Sequence, residues 1–104
     1  MSAIWRRIRP RWRQSVGTDP VLLLSRQDCG LCVRALPHVL RAFGRDDVVV
    51  VDITRHRELE DTYVFRIPVL LFEGRVLAEG DFSADGARVA RLKRDAMRSE
   101  RGQQ

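Results

Sequence analysis

Two cysteines, the only ones in 104 residues, stand three positions apart as Cys29-Gly30-Leu31-Cys32. They follow an apolar run, Val21 to Ser25, of the kind that forms a buried strand. From Cys32 onward Leu36, Val39, Leu40 and Phe43 recur at helical spacing, with Gly44 placed to end the helix. The pair therefore sits where a strand gives way to a helix. That junction constrains the chain more than any other feature, because it asks for a strand packed against the helix that follows it.

The same position has chemical consequences. Free backbone N–H groups and the positive end of the helix dipole stabilise a thiolate on the first cysteine. A thiolate is the species that attacks a disulfide. Cys32, one helical turn further on, can then displace the bound thiol by bonding to Cys29. Gly30 is expected to let the backbone turn tightly between them. Two other readings compete. The pair could be ordinary buried residues at i, i+3, since cysteine is often buried. It could also bind zinc, but a structural zinc needs four ligands, usually as two short pairs. His38 and His56 are the only other candidates; they read as exposed residues of two separate helices, so no metal site is expected.

The rest of the chain supplies more elements. Val48 to Ile53 is β-branched and apolar except for Asp52, and reads as a second central strand. Thr54 is placed to cap a short charged helix through Tyr63. Pro68 opens a strand, Val69 to Phe72, and Glu73-Gly74 turns it into Arg75 to Glu79. Ser83 is placed to cap a last helix in which Val89, Leu92 and Ala96 share a face, expected to be buried. The first half is a βαβ unit, whose strands should be parallel with a right-handed crossover. The hairpin adds an antiparallel edge strand.

The formal charge of +5 is unevenly placed. Residues 1–20 carry +4, residues 88–104 carry +4, and the stretch between carries −3. Any attraction to an anionic surface belongs to the ends, and nucleic-acid binding is not expected of the central domain. Residues 1–20 read as a basic extension with Trp5 and Trp12, residues 21–98 as the domain and 99–104 as a C-terminal tail. Ile4, Ile8, Trp12 and Val16 recur every four residues, interrupted by Pro10. The extension could be a tail, a helix packed on the domain, a membrane-surface or partner segment, or a transit peptide. No apolar core of a secretory signal follows the basic start, so a cytoplasmic, reducing location is expected, where a cysteine pair is redox-active or metal-binding rather than structural.

Taken together, Cys29-Gly30-Leu31-Cys32, Ile67-Pro68 and Gly80-Asp81 resemble the thioredoxin-like superfamily, and small glutaredoxin-like proteins most closely. The resemblance covers residues 21–98. It implies an α/β fold of order β-α-β-α-β-β-α, with a four-stranded mixed sheet flanked by three helices. In that superfamily the proline opening the third strand is cis and faces the redox motif, and Pro68 matches it. The resemblance implies that Ile67 offers its backbone to a substrate chain or to glutathione as an added strand. It also implies that Gly80 and Asp81 receive the γ-glutamyl end of glutathione, and that Arg26 attracts its glycyl carboxylate. Pro37 matches the proline within the first helix of thioredoxins. Asp28 stands where thioredoxins have Trp, and its carboxylate opposes a thiolate on Cys29. Leu23 stands where thioredoxins bury an acid beneath the motif.

The implied activity is thiol–disulfide exchange, with Cys29 attacking and Cys32 resolving. No cofactor is expected to be tightly bound. Glutathione or another low-molecular-weight thiol is the expected co-substrate, disulfide-containing proteins and a reducing thiol or reductase are the expected partners, and a monomer is the expected state. The alternative is a non-enzymatic binding protein, including an iron–sulfur cluster carrier using Cys29; Cys32 opposes this by capturing Cys29 in a disulfide.

Overall fold

The computed structural model describes residues 19–102. β1 spans Val21–Ser25, α1 Gly30–Phe43, β2 Val48–Asp52, α2 Arg57–Tyr63, β3 Val69–Phe72, β4 Arg75–Glu79 and α3 Ala84–Gly102. The strands form one mixed sheet in the order β2-β1-β3-β4. β1 runs parallel to β2, with Val21 opposite Val48 and Ser25 opposite Asp52. It runs antiparallel to β3, with Leu24 opposite Val69. A strand paired on both edges and covered on both faces has no polar side, which is why Val21-Leu22-Leu23-Leu24 does not alternate. This is the thioredoxin-like arrangement that the order of elements predicts.

Strand pleating divides the core in two. Val21, Leu23, Leu70 and Phe72 pack with Val39 and Phe43 of α1 and with Ala87 and Ala90 of α3. Leu22, Leu24, Val69 and Leu71 point the other way, packing with Ile53, Leu59 of α2 and Ile67. The β3–β4 turn puts Glu73 and Gly74 at φ 53° and 81°, both positive as a tight two-residue hairpin turn requires. Gly44 ends α1 at φ 87°, its N–H bonded to the Leu40 carbonyl. Ser83 caps α3, its Oγ accepting from the Gly86 N–H at 3.4 Å. Among the described residues no helix is long and apolar enough to cross a membrane.

Several local expectations need correction. β2 lies at the sheet edge rather than in its centre, Val50 is half exposed, and Ile53 leaves the strand for a 3-10 turn, Ile53–Arg55. Thr54 caps nothing: its N–H and its hydroxyl both donate to Asp52 Oδ1, at 2.9 and 2.6 Å, so the helix waits until Arg57. His38 and His56 are half-buried rather than exposed. On α3 the expected face is reversed. Leu92 is 67 % exposed and Val89 49 %, while Ala87, Ala90 and Arg94 are buried. Small residues let α3 approach the sheet closely. Arg94 fills the inner face with its stem, its guanidinium lying 5.0 Å from the Phe43 ring and pairing with Asp95 and Asp47. The basic extension read for residues 1–20 lies outside the described residues except for Asp19 and Pro20, both buried. α3 continues past residue 98 to Gly102, so most of the segment read as a tail is helical; no proline or glycine stops the helix earlier.

One long-range pair ties the loop before β3 to the end of β4. Arg66 Nε donates to Glu79 Oε1 at 3.2 Å and Nη2 to Oε2 at 2.6 Å. Both side chains are about 40 % exposed, so the pair positions a loop more than it stabilises the fold. The hydrogen bond from Arg66 holds the Glu79 carboxyl below the usual carboxylate range.

Two measurements check this picture. Leu70→Ala, in a central strand with no exposure, should cost about 2–5 kcal/mol in urea unfolding, while Leu92→Ala should stay within about 0.5 kcal/mol. Equal costs would contradict the orientation of α3. Because Glu79 is lowered in the folded state, its contribution is complete above the unfolded glutamate range and fades as pH falls through the folded value. Glu79→Gln should therefore remove part of the stability lost between about pH 5 and pH 3. Superimposable pH profiles for the two proteins would show that the pair contributes nothing.

Candidate active site

Cys29 is the N-cap of α1, with extended backbone (φ −97°, ψ 106°). Its N–H returns to the Arg26 carbonyl at 3.3 Å, which closes the turn out of β1. Its carbonyl accepts the first helical hydrogen bond, from Val33 N–H at 3.2 Å. Its Sγ accepts a hydrogen bond from the Cys32 N–H at 3.1 Å. The sulfur thus takes the place that Ser, Asp or Asn usually fills at a helix start, receiving an otherwise orphaned backbone donor. No acidic residue occupies the first turn of the helix. The two cysteines are joined as a disulfide, their Cα atoms 5.2 Å apart. Cys29 is half-buried and Cys32 only 4 % exposed, so Cys29 faces outward and Cys32 inward. Gly30 is not demanded by space: its φ is not positive and a Cβ there would meet nothing within 4 Å.

The antiparallel pairing of β3 with β1 carries Ile67 and Pro68 to the same end of the sheet. Their peptide bond is cis. Pro68 is buried, and Ile67 belongs to the apolar cluster that holds Cys32 and against which Cys29 packs. The backbone here is partly engaged already. Ile67 N–H donates to the Tyr63 carbonyl at 3.0 Å, so an added chain would pair through the Ile67 carbonyl instead. Gly80, at φ 76°, spends its N–H on the Pro68 and Arg66 carbonyls at 2.9 and 3.1 Å. That bond fastens the Gly80-Asp81 turn to the proline loop, with Asp81 exposed beyond it.

Arg26 lies on the Cys32 side of the pair. It lines a pocket of about 290 Å³ behind Cys32, with Leu23, Val33, Leu36 and Val50 as its apolar wall and Ser25, Gln27 and Asp52 as its polar rim. Leu23 and Cys32 line the same pocket, and the acid on it, Asp52, comes from β2. The Asp52 carboxyl is held below the usual range by the Thr54 hydroxyl and N–H, with smaller contributions from the charges of Arg55 and Arg26. The site residues thus form two groups. Cys29, Cys32, Ile67, Pro68 and Gly80 are linked by packing and hydrogen bonds, and Arg26 stands with Asp52 at the pocket that Cys32 also lines.

Asp52 and the Arg66–Glu79 pair were not anticipated from the sequence. An Asp two residues before Thr is a recognisable side-chain turn, so Asp52-Ile53-Thr54 was readable. The second pair joins residues thirteen apart across a hairpin, and no local pattern announces it.

The comparisons agree with this geometry. Residues 20–95 match the family model described as "Glutaredoxin-like domain (DUF836)". Nothing matches among the curated proteins. Among solved structures, the Northeast Structural Genomics target protein XcR50 from X. campestris is 31% identical with a TM-score of 0.58, over 73% of this chain and 96% of that one. A strand-to-helix cysteine pair, a sheet of order β2-β1-β3-β4 and a family match over most of the chain lead to one conclusion: the chain belongs to the glutaredoxin-like domain (DUF836) family.

Proposed function

We propose that this chain is a thiol–disulfide oxidoreductase of the glutaredoxin-like type. One observation carries the reading: the sulfur of half-buried Cys29 caps α1 and accepts the Cys32 N–H, with Cys32 itself buried and bonded to it. The helix start favours a thiolate on Cys29 over one on Cys32.

In the reduced protein, the Cys29 thiolate attacks one sulfur of a substrate disulfide. A Cys29–substrate disulfide forms and the other substrate sulfur leaves as a thiolate. The Cys32 thiol gives up its proton and attacks the Cys29 sulfur. The Cys29–Cys32 bond forms, and the second substrate thiol is released. The substrate is reduced by two electrons and the cysteine pair oxidised by two; the Cys32 proton goes to one leaving thiolate, and the other takes from solvent the proton that Cys29 had given up. Two molecules of a low-molecular-weight thiol, glutathione or a relative, return the pair to the dithiol. In this reading the substrates are disulfide-containing proteins in a reducing cytoplasm, and the working protein is a monomer with no tightly bound cofactor. Ile67, through its carbonyl, and Pro68 position the substrate beside Cys29; Gly80 braces that wall, and Arg26 and Asp81 are the side chains available to charged groups around it. The bond to Cys32 favours exchange over the cluster-carrier alternative, since it consumes the thiolate that a cluster would need.

Single-cysteine variants test the reading. In reduced protein at neutral pH, Cys29 (in Cys32→Ser) should alkylate at least about tenfold faster than Cys32 (in Cys29→Ser), following thiolate fraction and access. Mixed with a disulfide substrate, Cys32→Ser should accumulate a stable adduct by mass spectrometry and Cys29→Ser should form none. Faster alkylation of Cys32, or an adduct on Cys32 alone, would overturn the assigned roles.

A further inference from the structure

β1 stops pairing with β3 at Leu24 and Val69, because after Ser25 the chain turns toward Cys29 and α1. Ile67 and Pro68, which lead into β3, therefore have no partner strand on that edge. Their other backbone groups are engaged within the fold. Ile67 N–H donates to the Tyr63 carbonyl at 3.0 Å, and the Pro68 carbonyl accepts from Gly80 N–H at 2.9 Å. Proline brings no N–H of its own. The Ile67 carbonyl accepts no hydrogen bond from the described residues. It is an open acceptor on a residue of the apolar cluster that holds Cys32 and against which Cys29 packs.

The position of that carbonyl rests on how the loop is tied to β4. One tie is main chain: Gly80 N–H also donates to the Arg66 carbonyl, at 3.1 Å. Gly80 lies past the end of β4, in a turn at φ 76°. The other tie is a side chain. Arg66 Nε and Nη2 donate to the two Glu79 carboxylate oxygens at 3.2 and 2.6 Å. Glu79 is the last residue of β4 and stands opposite Val69 in the register of the sheet. The forked bond thus anchors the residue before Ile67 to the sheet itself, and a bidentate pair fixes direction as well as distance. The guanidinium also lies 4.9 Å from the centre of the Tyr63 ring, and Tyr63 packs against the same apolar cluster. An ion pair as exposed as this one adds little stability. What it supplies is geometry.

Resting on the redox reading above, we propose that Arg66 and Glu79 are positioning residues: their ion pair holds the Ile67 carbonyl where it accepts the N–H of the reactive cysteine of a polypeptide, and so aligns that disulfide with Cys29.

The experiment compares reduced wild type, Glu79→Ala and Glu79→Gln. Each is mixed with two synthetic peptide disulfides, identical except that in one an ester oxygen replaces the N–H of the reactive cysteine, and with hydroxyethyl disulfide, which has no amide. Second-order rate constants are read by acid quench and mass spectrometry. Wild type should react with the amide peptide about fivefold faster than with the ester, the size of one net hydrogen bond. Glu79→Ala should bring that ratio close to one and leave the hydroxyethyl disulfide rate unchanged. Glu79→Gln, which keeps one oxygen for Arg66, should retain part of the preference. A merely structural role would slow all three disulfides alike and leave the ratio as it was. That result, or a wild-type ratio near one, would overturn the inference and leave the redox reading standing. If wild type is oxidised by none of the three, the redox reading itself fails and the inference falls with it.

Discussion

β1 is hydrogen-bonded on both edges and apolar on both faces, and the rest of the molecule is arranged around that condition. Its parallel partner β2 requires a crossover, which α1 provides. Its antiparallel partner β3 brings the Ile67-Pro68 loop back to the end of β1 where the chain turns into that crossover. The cysteine pair and the proline loop meet because both lie at the same end of two neighbouring strands. Burying β1 from both sides thus builds the core and assembles the site in one step.

At that meeting point the chemistry rests on a helix end. Four N–H groups at the start of any α-helix lack partners within it. Here the first is closed onto Arg26 through the turn, and the Cys32 N–H is given to a sulfur. The arrangement places one sulfur, on a half-buried residue, in a favourable electrostatic environment and the other in buried apolar surroundings. Two cysteines of the same kind thereby become unequal, which is what an attack-and-resolve sequence needs.

The loops around the pair are held by hydrogen bonds. Tyr63 O, Pro68 O and Arg66 O take up the amides of Arg66, Ile67 and Gly80, and Glu79 takes up the Arg66 guanidinium.

Much of this was legible in the sequence. The non-alternating run at β1, the cysteine spacing at a helix start, the Ile-Pro before an apolar strand and the Glu-Gly hairpin turn are each local patterns with a local cause, and together they determined the order of elements and the position of the redox pair. The misplacements share another cause. Val89, Leu92 and Ala96 have the right spacing for a buried face, but α3 turns Ala87, Ala90 and the stem of Arg94 inward, because close packing against α1 and the sheet favours small side chains and a long flexible one. β2 is as apolar as a central strand yet lies at the edge, since strand order depends on which neighbours β1 accepts. Arg66 and Glu79, thirteen residues apart, meet only because a hairpin folds between them. What the sequence by itself determined was therefore the set of elements and the chemistry of the cysteine pair, which arise from interactions within a few residues. Which faces are buried and which charges are neutralised were decided by the tertiary structure, because those properties depend on contacts between residues the chain keeps far apart.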